Sequence, residues 1–116
     1  MAIKVHLDTQ ATPPVTVQPT TENINSGNQT IKWKPGDNQP AFTFVGVTWW
    51  TTPNPFSQPT ITTDPVEMSV TEDNDDSGAN YQYTITVNYN GTDYSSLAQP
   101  VGRRVGNGGT PTIHNN

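Results

Sequence analysis

Residues 81–98 read YQYTITVNYNGTDYSSLA, and the fold turns on how this stretch is read. Two runs of alternating polar and apolar residues flank Asn90-Gly91, a dipeptide suited to a two-residue type I′ turn because both positions tolerate positive φ. Folding the chain there sets Tyr89 opposite Thr92, Val87 opposite Tyr94, Ile85 opposite Ser96 and Tyr83 opposite Ala98. Side chains alternate faces along a strand, so Tyr81, Tyr83, Ile85, Val87, Tyr94, Ser96 and Ala98 share one face. Gln82, Thr84, Thr86, Asn88, Asp93 and Ser95 share the other. The first face is the apolar one and is predicted to point at a core, with residue 98 on the inward side just before Pro100.

Working outward, the same period recurs. IKVHL (3–7) alternates with His6 on the wet face, and VTV (15–17) and TIKWK (30–34) follow the same pattern, with Ile31 and Trp33 sharing a face. Residues 24–28 read as a turn, and PGDN (35–38) as a second one. FTFVGVTWW (42–50) is the most apolar run and is predicted to be a central strand, where Gly46 signals a bulge or a close neighbour. Trp49 and Trp50 must face opposite ways. Residues 60–63 and 66–70 read as one edge strand interrupted at Pro65; 72–78 is an acidic loop, 106–109 a glycine-rich linker and 110–116 a last short strand. Eleven prolines and nine glycines break any helical periodicity. The expected fold is all-β: a single domain over 1–116, an antiparallel β-sandwich of immunoglobulin-like general architecture.

Composition bounds the function. Hydrophobic residues make up 30% of the chain and charged residues only 13%, whereas a disordered chain that poor in apolar residues normally carries far more charge. The net charge of −5 and the absence of any basic cluster beyond Arg103-Arg104 argue against nucleic acid or an anionic membrane as partner. With no cysteine there is no disulfide or thiol chemistry. MAIKVHLDTQ alternates instead of forming an apolar run, so it reads as a strand and not a signal peptide, and the expectation is a cytoplasmic protein, or one exported after removal of a leader.

Candidate chemistry is sparse. Asp73-x-Asp75-x-Ser77-Gly78 matches the first half of a calcium loop, but the position that should supply a bidentate Glu is Thr84, inside a strand. A solvated loop is the better reading, and no metal or cofactor is expected. Trp33, Trp49, Trp50 and the tyrosines have the flat faces that stack on sugars, yet a chain this short of aliphatics needs most of them for its core. One Asp-Ser-Gly triplet, Asp76-Ser77-Gly78, would need a second copy to complete an aspartic-protease pair. Asp64 shares parity with Val66, Met68 and Val70. If buried among them, its carboxyl would have a raised pKa and could move a proton. Near the C-terminus, Asn115 and Asn116 introduce side-chain amides able to attack their own backbone carbonyl and cut the chain, or to accept a lysine amine in an isopeptide bond.

FTFVGVTWW, TTDPVEMSV, YQYTITVNYNGTDYSS and GGTPTIHNN together resemble the DP-EP family of self-cleaving, self-assembling β-sandwich endopeptidases, over essentially the whole chain. The resemblance implies self-cleavage after Asn116 by carboxylate-activated water, with a short tail kept strand-paired in the sandwich, and a protein whose partner is itself, as homo-oligomer and through its own tail. It also implies a crosslinking lysine on the last hairpin strand. Here that position is Ala98, which has no amine. Asp64 is the acid chosen by parity. The alternative function class is a non-enzymatic carbohydrate- or calcium-binding module, or a structural assembly module.

Overall fold

The computed structural model describes residues 2–24, 29–52, 54–72, 79–97 and 110–115. These form ten strands and no helix: β1 (Ile3–Leu7), β2 (Val15–Gln18), β3 (Thr21–Ile24), β4 (Gln29–Pro35), β5 (Thr43–Trp49), β6 (Thr60–Thr63), β7 (Val66–Glu72), β8 (Asn80–Tyr89), β9 (Thr92–Ser95) and β10 (Thr112–Asn115). One sheet runs β2-β1-β4-β7-β6. The other runs β3-β10-β8-β5, with β9 also paired to β8. The two pack as a β-sandwich.

The hairpin around Asn90-Gly91 forms as its sequence dictates. Asn90 and Gly91 have φ of 53° and 82°, and Tyr89 pairs with Thr92 and Val87 with Tyr94. Tyr81, Tyr83, Ile85 and Val87 are all buried. Facing them from the first sheet are Ile3, Val5, Trp33, Met68 and Val70. Trp33 donates its indole N–H to the Tyr83 hydroxyl at 3.0 Å, satisfying the polar tips of two side chains with no solvent exposure. Burial pushes the Tyr83 phenol far above its ordinary pKa, so it stays protonated.

Four features differ from the sequence-based expectation. The sandwich is mixed, because β1 pairs parallel with β4 and β3 parallel with β10. The chain visits the second sheet as β3 before returning beside β1, so that pair is not a hairpin. β3 itself occupies residues read as the approach to a turn; Glu22 and Ile24 alternate inward, and a charged residue on the core face hid the pattern. Residues 60–72 form a hairpin folded at Asp64-Pro65, not one interrupted edge strand. β5 lies at the edge of its sheet, not at the centre.

The bulge expected at Gly46 is present, with the register slipping between Phe44 and Gly46. That extra residue resets the parity of β5. Phe44 is buried, Val45 is exposed, and Val47 and Trp49 turn back towards the core. His6, expected to be solvated, is half covered: its ring lies over Gly36, where an added Cβ would come within 2.5 Å, and its Nδ1 meets the Gln39 amide at 3.2 Å.

Candidate functional site

β10 is held on both sides. Thr112 to Asn115 pair with Thr21 to Ile24 of β3, and Thr112, Ile113 and His114 pair with Gln82, Tyr81 and Asn80 of β8. The direction of these ladders brings the ends of β3 and β10 and the start of β8 to one end of the sandwich. Across from them, Gln29 at the start of β4 pairs with Glu72 at the end of β7. Phe56 ties the two sheets at this end: it bridges to Glu72 through the backbone and packs edge-on against Tyr81, ring centroids 5.2 Å apart. His114 Nδ1 donates to Asn80 Oδ1 at 2.7 Å, closing the rim.

Two carboxylic acids lie inside this region, and among the described residues they are the only buried charged side chains. Glu72 has no exposed surface. It reaches the core face by the alternation that also buries Met68 and Val70. Glu22 is 6% exposed, is aligned with Ile113 of β10, and borders a space of about 10 Å³ with Ile3, Ile24 and Ile31, too small for more than one water. Desolvation raises the Glu22 pKa above the ordinary carboxylate value. A raised carboxyl pKa is the direction in which burial tunes a carboxylic acid for general acid or base work.

The sequence-predicted residues are distributed differently. Asp64 is exposed in the β6–β7 turn, so its expected inward orientation does not hold. Alternation applies within a strand, and counting back from Val66 through the turn carried it past the point where the strand begins. Asp64 also sits at the far end of β7 from Glu72, roughly 20 Å away at about 3.4 Å per residue. Ala98, Asn116 and the acidic stretch 73–78 lie outside the described residues. Among the described residues, no group of three or more His, Asp or Glu side chains is arranged to hold a metal ion.

The aromatics divide as well. Trp33 is fully buried, and Trp49 stacks on Phe56 at 3.8 Å inside the core, whereas Trp50 points outward. Sequence reasoning missed Glu22 and Glu72. For Glu72 the signal was present, since it continues the Val66, Met68, Val70 parity forward by one step. No protein-family model and no curated protein matches the chain.

Proposed function

We propose that the protein is a self-processing β-sandwich that cleaves its own backbone after Asn116. In this reading a buried carboxylate takes a proton from water, and the water oxygen attacks the residue-116 carbonyl carbon. The carboxyl then hands that proton to the nitrogen of the next residue, the C–N bond breaks, and the nitrogen leaves as an amine while the carboxylate is restored. The observation that carries the reading is the seating of residues 112–115 between β3 and β8, at the end of the sandwich that also holds buried Glu72. A strand held by two ladders gives the chain beyond it a fixed starting point, and intramolecular positioning replaces a bimolecular encounter, an advantage that reaches roughly 7–11 kcal/mol for well-aligned groups. Glu72 takes the place of Asp64 as the proposed acid because it is buried and at the right end. Homo-oligomer formation and cytoplasmic residence belong to the same proposal. Ala98 makes the chain unable to form a lysine crosslink.

The test is a chain extended past Asn116, followed by intact-mass spectrometry. Scission after residue 116 without added protease, at a rate independent of protein concentration, is the expected result. An extended chain that keeps its full mass over days while folded would end the proposal. In the same extended chain, Ala98→Lys is expected to yield a product joined to residue 116 with the loss of ammonia.

A further inference from the structure

The outer face of the β5–β8 sheet carries a feature that self-processing does not use. The bulge after Phe44 sends Trp49 inward and Trp50 outward, where the Trp50 N–H continues the ladder to the Gln82 carbonyl at 2.9 Å. The side chain does not project freely. Its indole N–H donates to Thr84 Oγ1 at 2.8 Å, one step along β8, so the ring is drawn back over the sheet. Trp50 is 49% exposed, as expected of a ring with one face on the sheet and the other in water. The Thr84 hydroxyl, having accepted the indole proton, still has its own proton to donate.

The groups around this ring are polar but uncharged. Thr48 on β5 and Gln82, Thr84 and Thr86 on β8 have the same outward parity, and the outward residues of these two strands include no Lys, Arg, Asp or Glu. A protein partner would need a contiguous apolar patch, and the exposed apolar side chain of β5, Val45, lies beyond Thr48 along the strand, while Trp50 itself is hydrogen-bonded to Thr84 and Gln82. A nucleobase would come with phosphates, and among the described residues β5 and β8 offer no Lys or Arg on this face, while His114 of neighbouring β10 is already hydrogen-bonded to Asn80. A neutral sugar matches both parts: the C–H face of a pyranose packs on an indole, and its hydroxyls exchange hydrogen bonds with Thr and Gln side chains. Because the ring is already held, little side-chain freedom is lost on stacking.

We infer that this face is a binding site for neutral oligosaccharides, with Trp50 as the stacking platform and Thr84 as the residue that holds it flat. The site does not involve the buried carboxylates, although Gln82 is paired through its backbone with Thr112 of β10.

The experiment titrates the protein with cellohexaose, xylohexaose, mannohexaose and chitohexaose, and with polygalacturonate as the charged comparison, reading tryptophan fluorescence and heat. The expected result is saturable binding of at least one neutral hexamer. Trp50→Ala is expected to weaken it at least about tenfold and Thr84→Val by about threefold. Trp33 fluorescence and the far-ultraviolet spectrum report that both variants remain folded. The inference is overturned if no neutral hexamer gives a saturable signal up to about 10 mM. It is equally overturned if Trp50→Ala binds as the parent does, or if polygalacturonate binds as tightly as the best neutral hexamer. A fluorescence change on dilution without sugar, lost in Trp50→Ala, would assign the face to contact between copies and also overturn it.

Discussion

β7 has an acidic residue near each end, and the two could hardly differ more. At one end Asp64 sits in the turn to β6, exposed. At the other, Glu72 completes the inward series begun by Met68 and Val70 and has no solvent exposure. Both residues share parity with the same apolar positions, so counting alone ranks them equally. What separates them is the ladder. Glu72 is paired with Gln29, so its backbone is fixed in a strand and its side chain must follow the pleat. Asp64 belongs to a reversal, where no neighbouring strand fixes its direction. An inward-facing carboxyl thus needs pairing on top of periodicity.

The sharpest way to break this comparison is to exchange the two roles. In a chain extended past Asn116, Glu72→Gln is expected to slow self-cleavage by about 10²–10⁴-fold, the usual contribution of a general acid or base. Asp64→Asn should leave the rate within about twofold. Gel densitometry over time measures both, and equal loss in the two variants would put the acid elsewhere, with Glu22 next to test. The second largest effect concerns packing. Met68 and Ile61 are register partners on the same face of the hairpin, yet Met68 is fully buried and Ile61 is 38% exposed on the edge strand. Met68→Ala is expected to cost about 2–5 kcal/mol in a urea melt and Ile61→Ala less than about 1 kcal/mol, because only the first leaves a cavity.

A smaller effect depends on pH. The Glu22 pKa is raised by burial, so the folded state holds its proton more tightly than the unfolded chain. Glu22 therefore favours folding at low pH, and that benefit is lost as pH rises through the folded pKa. The stability of Glu22→Gln relative to the parent should then be greater at pH 7 than at pH 4; a difference independent of pH would contradict the burial argument. Smallest of all, Asp64→Ala should change stability by no more than about 0.5 kcal/mol, as expected of an exposed side chain.

These residues also mark how far the sequence could be read. Asn90-Gly91 with its flanking alternation specified a turn, a register and a core face, because all three are local and a two-residue loop leaves the pairing little choice. Gly46 announced its bulge. The central place of β10 was not legible, since its partners lie at residues 21–24 and 80–82 and nothing local encodes that meeting. β3 was missed for a different reason: Glu22 occupies a core position, and a rule that equates inward with apolar discards such a strand. Glu22 therefore fell where pattern reading is weakest, whereas Glu72 continued a parity already visible at Val66, Met68 and Val70.

One further consequence follows from the way β9 and β10 share a flank of β8. The Ser96 N–H donates to the Ile85 carbonyl, and the Tyr83 N–H donates to the Pro111 carbonyl, so the chain leaves β8 and rejoins it at neighbouring positions. Ser96 and Pro111 are thus held close together along β8. A covalent connection between ends that close gives the strand that follows an effective concentration on the order of millimolar at this flank of β8. A second copy's strand, at micromolar concentration, is outcompeted roughly a thousandfold for that seat. Copies of this protein that associate would then do so through the edges that are open among the described residues, at β2, β3, β5, β6 and β9, leaving β10 with the chain that made it.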